Sequence, residues 1–234
     1  DEYQGGFAEY IKAPSNNIIP LPENFPVEHA VRLGYLGTAF HALKRARVHY
    51  GSTVLINGAT GTVGTSAVLL GLAMGASKII AIANKKDRLE KIKQIEPAII
   101  ETLSLQDGKV TGKIKELTNG QGAESFVDCL SYVDTSSTHQ CLFAVKKGGT
   151  AVCIGGATGN ITVPYAFLLG TEINITGSLY VHSHEVNEMI GMVNSGRLNL
   201  DFFDTKAFAL EEINEAIELA GSRIGGLNTV LVKM

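Results

Sequence analysis

The chain has 234 residues, 45% hydrophobic and 18% charged, with a formal net charge of −3. That balance supports a real core and excludes a disordered chain, and the mild acidity argues against a nucleic-acid or anionic-membrane partner held by bulk charge. Cys129, Cys141 and Cys153 lie far apart, so they read as thiols of a reducing compartment, not as a disulfide frame or zinc knuckle.

No signal-peptide pattern and no apolar run of membrane-spanning length is read, so a cytoplasmic location is expected. Residues 5–12 are strand-like and need a partner, because a lone strand is not stable. Pro14, Pro20, Pro22 and Pro26 make 14–26 an extended crossover. Helix is predicted from near Pro26 and again over about 38–48. Strand and helix then alternate. Strand 53–57 precedes helix 62–74, closed by Gly75. Strand 78–83 precedes a charged helix through 88–92, and weak strand 98–103 precedes helix 109–117. Strand 125–130 precedes helix 135–144; strands 149–154 and 174–179 follow, then helix 185–194. A helix carrying Leu210, Ile213 and Ile217 ends at Gly221, and 228–232 forms a closing strand. This alternation predicts an α/β fold: a doubly wound parallel sheet of about six strands, with ligands at the strands' carboxyl ends.

The most informative segment is Gly58-Ala59-Thr60-Gly61-Thr62-Val63-Gly64. It joins an apolar strand to a helix start, where backbone N–H groups and the helix dipole favour a pyrophosphate. Gly58 serves the tight turn, Gly61 the close approach of backbone to phosphate, and Gly64 the packing of helix on strand. The tip of the second strand decides which dinucleotide fits. Asn84-Lys85-Lys86 stands there without a carboxylate, so NADP(H) is expected over NAD(H), the 2′-phosphate meeting amide and ammonium donors.

The order of these pieces resembles the medium-chain dehydrogenase/reductase superfamily, which includes zinc-type alcohol dehydrogenases and quinone reductases. The resemblance is carried by the residues at 5–10, by Ile19-Pro20-Leu21-Pro22, by Gly37-Thr38-Ala39-Phe40-His41-Ala42-Leu43, by Gly51–Ile56 and by the glycine loop. It continues through Gly148-Gly149-Thr150, Ile175-Thr176-Gly177-Ser178 and Leu210–Ala216. It implies a Rossmann domain together with remnant strands, at 5–13 and 227–233, of a GroES-like catalytic domain most of which lies outside this chain. The implied organisation is 1–25 as remnant and crossover, 26–205 as the dinucleotide-binding domain, and 206–234 as the C-terminal helix and closing strand.

The resemblance also implies the cofactor contacts. Thr38 would lie near the nicotinamide, Thr60, Gly61, Thr62 and Val63 at the pyrophosphate, and Cys129 and Leu130 at the adenosine half. Ile154, Gly155 and Gly156 would line the carboxamide, and Ser178, Leu179 and Tyr180 would border the ring. Asn228 stands where the family often places a basic residue. Zinc enzymes of the family often draw a ligand, commonly Cys, from the place held here by Gly34, which has no side chain. No zinc is therefore expected in this chain. His182 and His184 share a strand face as a possible metal pair, but no third ligand is read beside them. His29, His41, His49 and His139 show no metal or relay spacing. No residue receives a catalytic role.

The expected function is NAD(P)-dependent oxidoreduction, hydride passing between nicotinamide and a small-molecule carbonyl/alcohol or activated alkene. The alternatives are a catalytically inactive NADP(H)-binding module and an S-adenosylmethionine-dependent methyltransferase. In the resembled family the strand before Gly177 pairs with its twin, so a homodimer through Ile175 is expected, the Tyr165–Leu169 run adding apolar surface.

Overall fold

The computed structural model describes residues 5–222 and 224–233. After short helix α1 (Val27–Ala30), α2 (Leu33–Arg45) presents Leu36, Phe40 and Leu43 to the interior. Six strands follow: β1 (Thr53–Asn57), β2 (Lys78–Ala83), β3 (Ile100–Ser104), β4 (Ala123–Asp128), β5 (Val145–Cys153) and β6 (Asn174–Gly177). They form one parallel sheet in the order β3-β2-β1-β4-β5-β6. The chain order reverses between β1 and β4, the kind of switch point at whose carboxyl-end side open α/β sheets take their ligands.

Both faces of this sheet are covered, so its strands are nearly continuous apolar runs. Val54, Ile56, Ile79, Ala81 and Val127 face a core shared with α2, α3 (Thr62–Ala73) and α8 (Ser183–Asn194). Leu55, Ile80, Ile82 and Phe126 face the other core, against α5 (Val110–Leu117) and α6 (Ser136–Leu142). Alternation along single strands thus feeds two layers, as the pleat requires. Helix α4 (Lys86–Lys93) crosses between β2 and β3 and buries Leu89 and Ile92.

The outer parts depart from expectation. No strand forms at 5–13: residues 6–9 bend, and Phe7, Tyr10 and Ile11 are exposed. Extended backbone needs a ladder partner, and this segment has none among the described residues. The first four residues of the expected 1–25 unit lie outside the described residues. The closing strand β8 (Asn228–Lys233) pairs in parallel with β7 (Asp204–Ala209), a strand that the polar run Asp204-Thr205-Lys206 concealed. Helix α9 (Ile213–Gly221) connects the two, and the expected boundary at 205/206 falls inside β7.

Boundaries shift elsewhere for local reasons. Helix α2 begins at Leu33 instead of near Thr38, since burial of Leu33 and Leu36 outweighs the low helix propensity of Gly34 and Gly37. Strand β4 stops at Asp128, whose carboxylate accepts the Leu130 N–H and turns the chain. The Tyr165–Leu169 run is part of α7 (Tyr165–Thr171), where Phe167 meets Phe143 edge-on at 4.7 Å between centroids. Tyr165 and Leu169 remain exposed.

Candidate functional site

The loop between β1 and α3 sits over the switch point. Gly58 adopts φ +74°, and a Cβ there would lie 3.2 Å from the Cys129 carbonyl oxygen. Gly64 is compelled more strongly, since its Cβ would fall 2.1 Å from the Gly58 oxygen. Gly61 differs from both. Its backbone is extended (φ −85°, ψ 171°), and a Cβ would meet only the Gly58 oxygen, at an ordinary 3.4 Å. Among the described residues nothing explains why position 61 lacks a side chain. Thr65 is the first residue of α3 whose N–H returns to a carbonyl of that turn, Gly61 O at 2.8 Å. The N–H groups of Thr62, Val63 and Gly64 precede that ladder, as at any helix start. Together the open face of Gly61 and this helix start fit a pyrophosphate.

Beneath the loop a buried polar network joins three strand ends. Asp128 accepts hydrogen bonds from Asn57 Nδ2 (2.9 Å), the Leu130 N–H (3.2 Å) and the Thr138 hydroxyl (2.6 Å). Burial pushes its carboxyl up, against those three donors, which pull it down. The Asp128 carbonyl in turn accepts the N–H groups of Ile154 and Gly155. A Cβ on Gly155 would lie 1.9 Å from the Leu130 carbonyl oxygen, whereas one on Gly156 would meet nothing within 4 Å. Cys129, Leu130, Ile154, Gly155 and Gly156 are thus brought to one side of the glycine loop. The Cys129 thiol is pushed well up by burial and by the neighbouring Asp128 charge, and burial with the same charge pushes Cys153 to about 11. Both stay protonated at neutral pH, which leaves them poor nucleophiles.

Past β6 the Ser178 N–H bonds the Cys153 carbonyl, while its buried hydroxyl has no partner among the described residues. Leu179 and Tyr180 are exposed, and Tyr180 holds a left-handed φ of +55°, a conformation that bulky residues rarely adopt. Val181 packs against Gly37, at 2.8 Å from where a Cβ would stand, which ties this segment to α2 one residue from Thr38. Thr38 itself bonds the Gly34 carbonyl. Gly34 faces open space and offers no metal ligand.

At the tip of β2, Asn84 and Lys85 are exposed, and Lys86 pairs with Asp107 at 2.6 Å. Two contributors lay beyond sequence reasoning. The backbone of Gly225-Gly226 folds onto the glycine loop: Gly226 N–H bonds Thr60 O at 2.9 Å, and a Cβ on Gly226 would collide with Thr65 Oγ1 and Gly61 O. The Arg88 guanidinium lies 3.4 Å from a Cβ built on Gly225. The second contributor is Arg32, buried beneath Phe203 at 4.0 Å and donating to the Gly226 carbonyl at 2.7 Å. Burial lowers its pKa to about 10, so it stays charged. The glycine doublet was the signal available for the first; an Arg before a helix carried none for the second.

The model of the zinc-binding dehydrogenase family matches residues 62–195, from the start of α3 to the end of α8. The chain belongs to that family. It is 29% identical over 218 residues to a probable D-xylulose reductase A of Aspergillus terreus, covering 92% of this chain and 61% of that protein. It is 28% identical over 220 residues to a sorbitol dehydrogenase of Bombyx mori, covering 93% and 62%. The chain thus spans about three fifths of the length of these relatives. Among solved structures, the alcohol dehydrogenase of Aeropyrum pernix superposes with a TM-score of 0.80 at 25% identity, over 98% of this chain and 65% of that one. An alcohol dehydrogenase from Thermus sp. ATN1 shares the fold at a TM-score of 0.84 and 24% identity, over 98% and 68%.

Proposed function

We propose that the chain binds a nicotinamide dinucleotide across the β1/β4 switch point and supplies the cofactor-holding part of an alcohol dehydrogenase/reductase-type oxidoreductase. The observation that carries this reading is the contrast at Gly61, where among the described residues a Cβ would meet only the Gly58 oxygen, at an ordinary 3.4 Å. The cofactor carries hydride to or from a carbonyl/alcohol or an activated alkene. This chain's own residues bind and orient. Thr60, Gly61, Thr62 and Val63 hold the pyrophosphate, Cys129 and Leu130 flank the adenosine half, and Ile154, Gly155, Gly156, Ser178, Leu179, Tyr180 and Thr38 border the nicotinamide end. Ser178 Oγ, buried without a partner among the described residues, is a donor available to a bound polar group. The names of the relatives favour a polyol or ketose as substrate, set beside Tyr35 and Tyr180. Family membership runs against the methyltransferase alternative.

NADP(H) is the preferred cofactor in this reading, because Asn84 and Lys85 are exposed donors and none of Asn84, Lys85 and Lys86 is an acid, while Lys86 would exchange its Asp107 partner for the 2′-phosphate. Calorimetry with the 234-residue chain should give tighter binding of NADPH than of NADH, and the pair Lys85→Glu and Lys86→Glu should reverse the order. An unchanged order in the double variant refutes the preference. Failure of both nucleotides to bind the wild type refutes the site. Binding without turnover of polyols, ketoses or quinones favours the inactive-module reading.

We further propose a homodimer through β6. This strand pairs only with β5 among the described residues, and Ile175 is partly exposed on it. A sheet edge of that kind is a template for a second copy.

A further inference from the structure

Away from the glycine loop the fold assembles a second group of chemically able side chains. His41 on α2 lies with its Nδ1 3.0 Å from the Glu185 carboxylate of α8. The His182 ring meets the His41 ring edge-on at 4.7 Å between centroids, and His184 stacks on His182 at 5.6 Å. One ligand atom from each of His41, His182 and Glu185 lies within 4.8 Å of the other two. Sequence spacing showed only His182 and His184. Glu185 stands one turn further on the inner side of α8, and His41 arrives from another helix.

We propose that His41, His182 and Glu185 form a binding site for a divalent cation of the zinc class, clamping α2 to α8. Two imidazoles and a carboxylate are the nitrogen and oxygen donors that such ions take, with a water completing four-coordination. Glu185 is already oriented: it is buried, and its carboxylate accepts the His182 backbone N–H at 3.0 Å. Such outer bonds fix a ligand before the metal arrives. His182 is exposed, which gives the ion an entry path and the ring freedom to close. Tetrahedral zinc wants ligand atoms roughly 3.5 Å apart, so the present separations need only a side-chain adjustment. Lys44 lies 3.5 Å from Glu185 but 2.9 Å from Glu188, so it keeps a partner when a cation takes its place at Glu185.

This site is not the place where the family's metal ligand was expected. His41 stands seven residues beyond Gly34, about 10 Å along the helix. Nor does it depend on nucleotide. Its mechanical consequence is local: Val181, next to His182, rests on Gly37, so the ion would fasten the Ser178–Val181 segment against α2.

The test is titration of the metal-stripped 234-residue chain with cobalt(II), followed by zinc(II). One equivalent of cobalt should give an intense ligand-field band without a thiolate charge-transfer band, and one equivalent of zinc should bleach it and raise the melting temperature. His182→Ala, at an exposed position, should lose at least tenfold in affinity with an unchanged circular dichroism spectrum, and His139→Ala should lose nothing. Non-saturable cobalt binding overturns the proposal. So does equal affinity in His182→Ala, or a thiolate band, which would place the metal on cysteine.

Discussion

The centre of the sheet and its flank obey different rules. At β1, β4 and β5 every strand is paired on both edges and covered on both faces, and the loops beyond are shaped by backbone-to-backbone collisions such as Gly64 on Gly58 and Gly155 on Leu130. At β7 and β8 two strands pair alone, and residues 6–9 bend with their apolar side chains exposed. Two-stranded units are marginal by themselves. The centre therefore holds its shape by its own contacts, while the flank takes its shape from whatever packs on it. That difference predicts where substitutions unfold the chain and where they change only what it binds.

The largest effect is expected at Gly64. A Cβ there has no direction to yield, because the atoms it meets are the Gly58 carbonyl and the Ala59 Cα. Gly64→Ala should lose more than about 3 kcal/mol in urea unfolding or fail to fold, the cost of overpacking against backbone. Retained stability would show that the loop can shift and would dissolve the contrast between centre and flank.

Gly61→Val sharpens the same contrast three residues away. Extended dihedrals and an ordinary 3.4 Å neighbour mean that the fold should tolerate the branched side chain. NADPH affinity should fall at least a hundredfold, because the side chain occupies the space of the phosphate approach. Undiminished affinity in the folded variant would move the dinucleotide off this loop.

How much of this was legible follows the same division. The strands at 53–57 and 78–83 were readable because parallel strands covered on both faces are apolar runs, and the glycines at 58, 61 and 64 because their spacing is fixed by local geometry. Strand β7 was not: Asp204, Thr205 and Lys206 are polar, and its partner comes nineteen residues after β7 ends, beyond α9. The His41–Glu185 contact was invisible for a like reason, since it depends on how α2 and α8 pack. Arg32 and Gly226, which close over the glycine loop, meet across almost the whole chain.

The sheet's edge gives a smaller, bimolecular effect. Ile175→Pro removes an N–H from β6, and should weaken self-association about tenfold in sedimentation, with monomer circular dichroism preserved. Wild type that remains monomeric at every concentration would remove the dimer altogether, leaving β6 as an edge like those of the flank.

The smallest effect is expected for Asp128→Asn, and its direction depends on pH. Burial raises this carboxyl above its ordinary 3.8, so the folded state holds its proton more tightly than the unfolded chain does. The group's contribution is therefore most favourable below 3.8 and is lost as pH rises through the raised value. Asp128→Asn keeps one oxygen for Asn57 Nδ2 and the Leu130 N–H, and its amide can donate to a reoriented Thr138 hydroxyl. The variant should lie within about 1 kcal/mol of wild type at neutral pH, and the difference should move toward wild type on acidification. Asp128→Ala, which strips the Leu130 N–H and the Thr138 hydroxyl of this acceptor and leaves Asn57 Nδ2 only Ser137, should cost about 2–3 kcal/mol. If the Asn variant instead gained on wild type as the pH fell, the carboxylate would be a stabilised charge and the network beneath the loop an ion-binding one. Urea unfolding of the three proteins at two pH values decides between these.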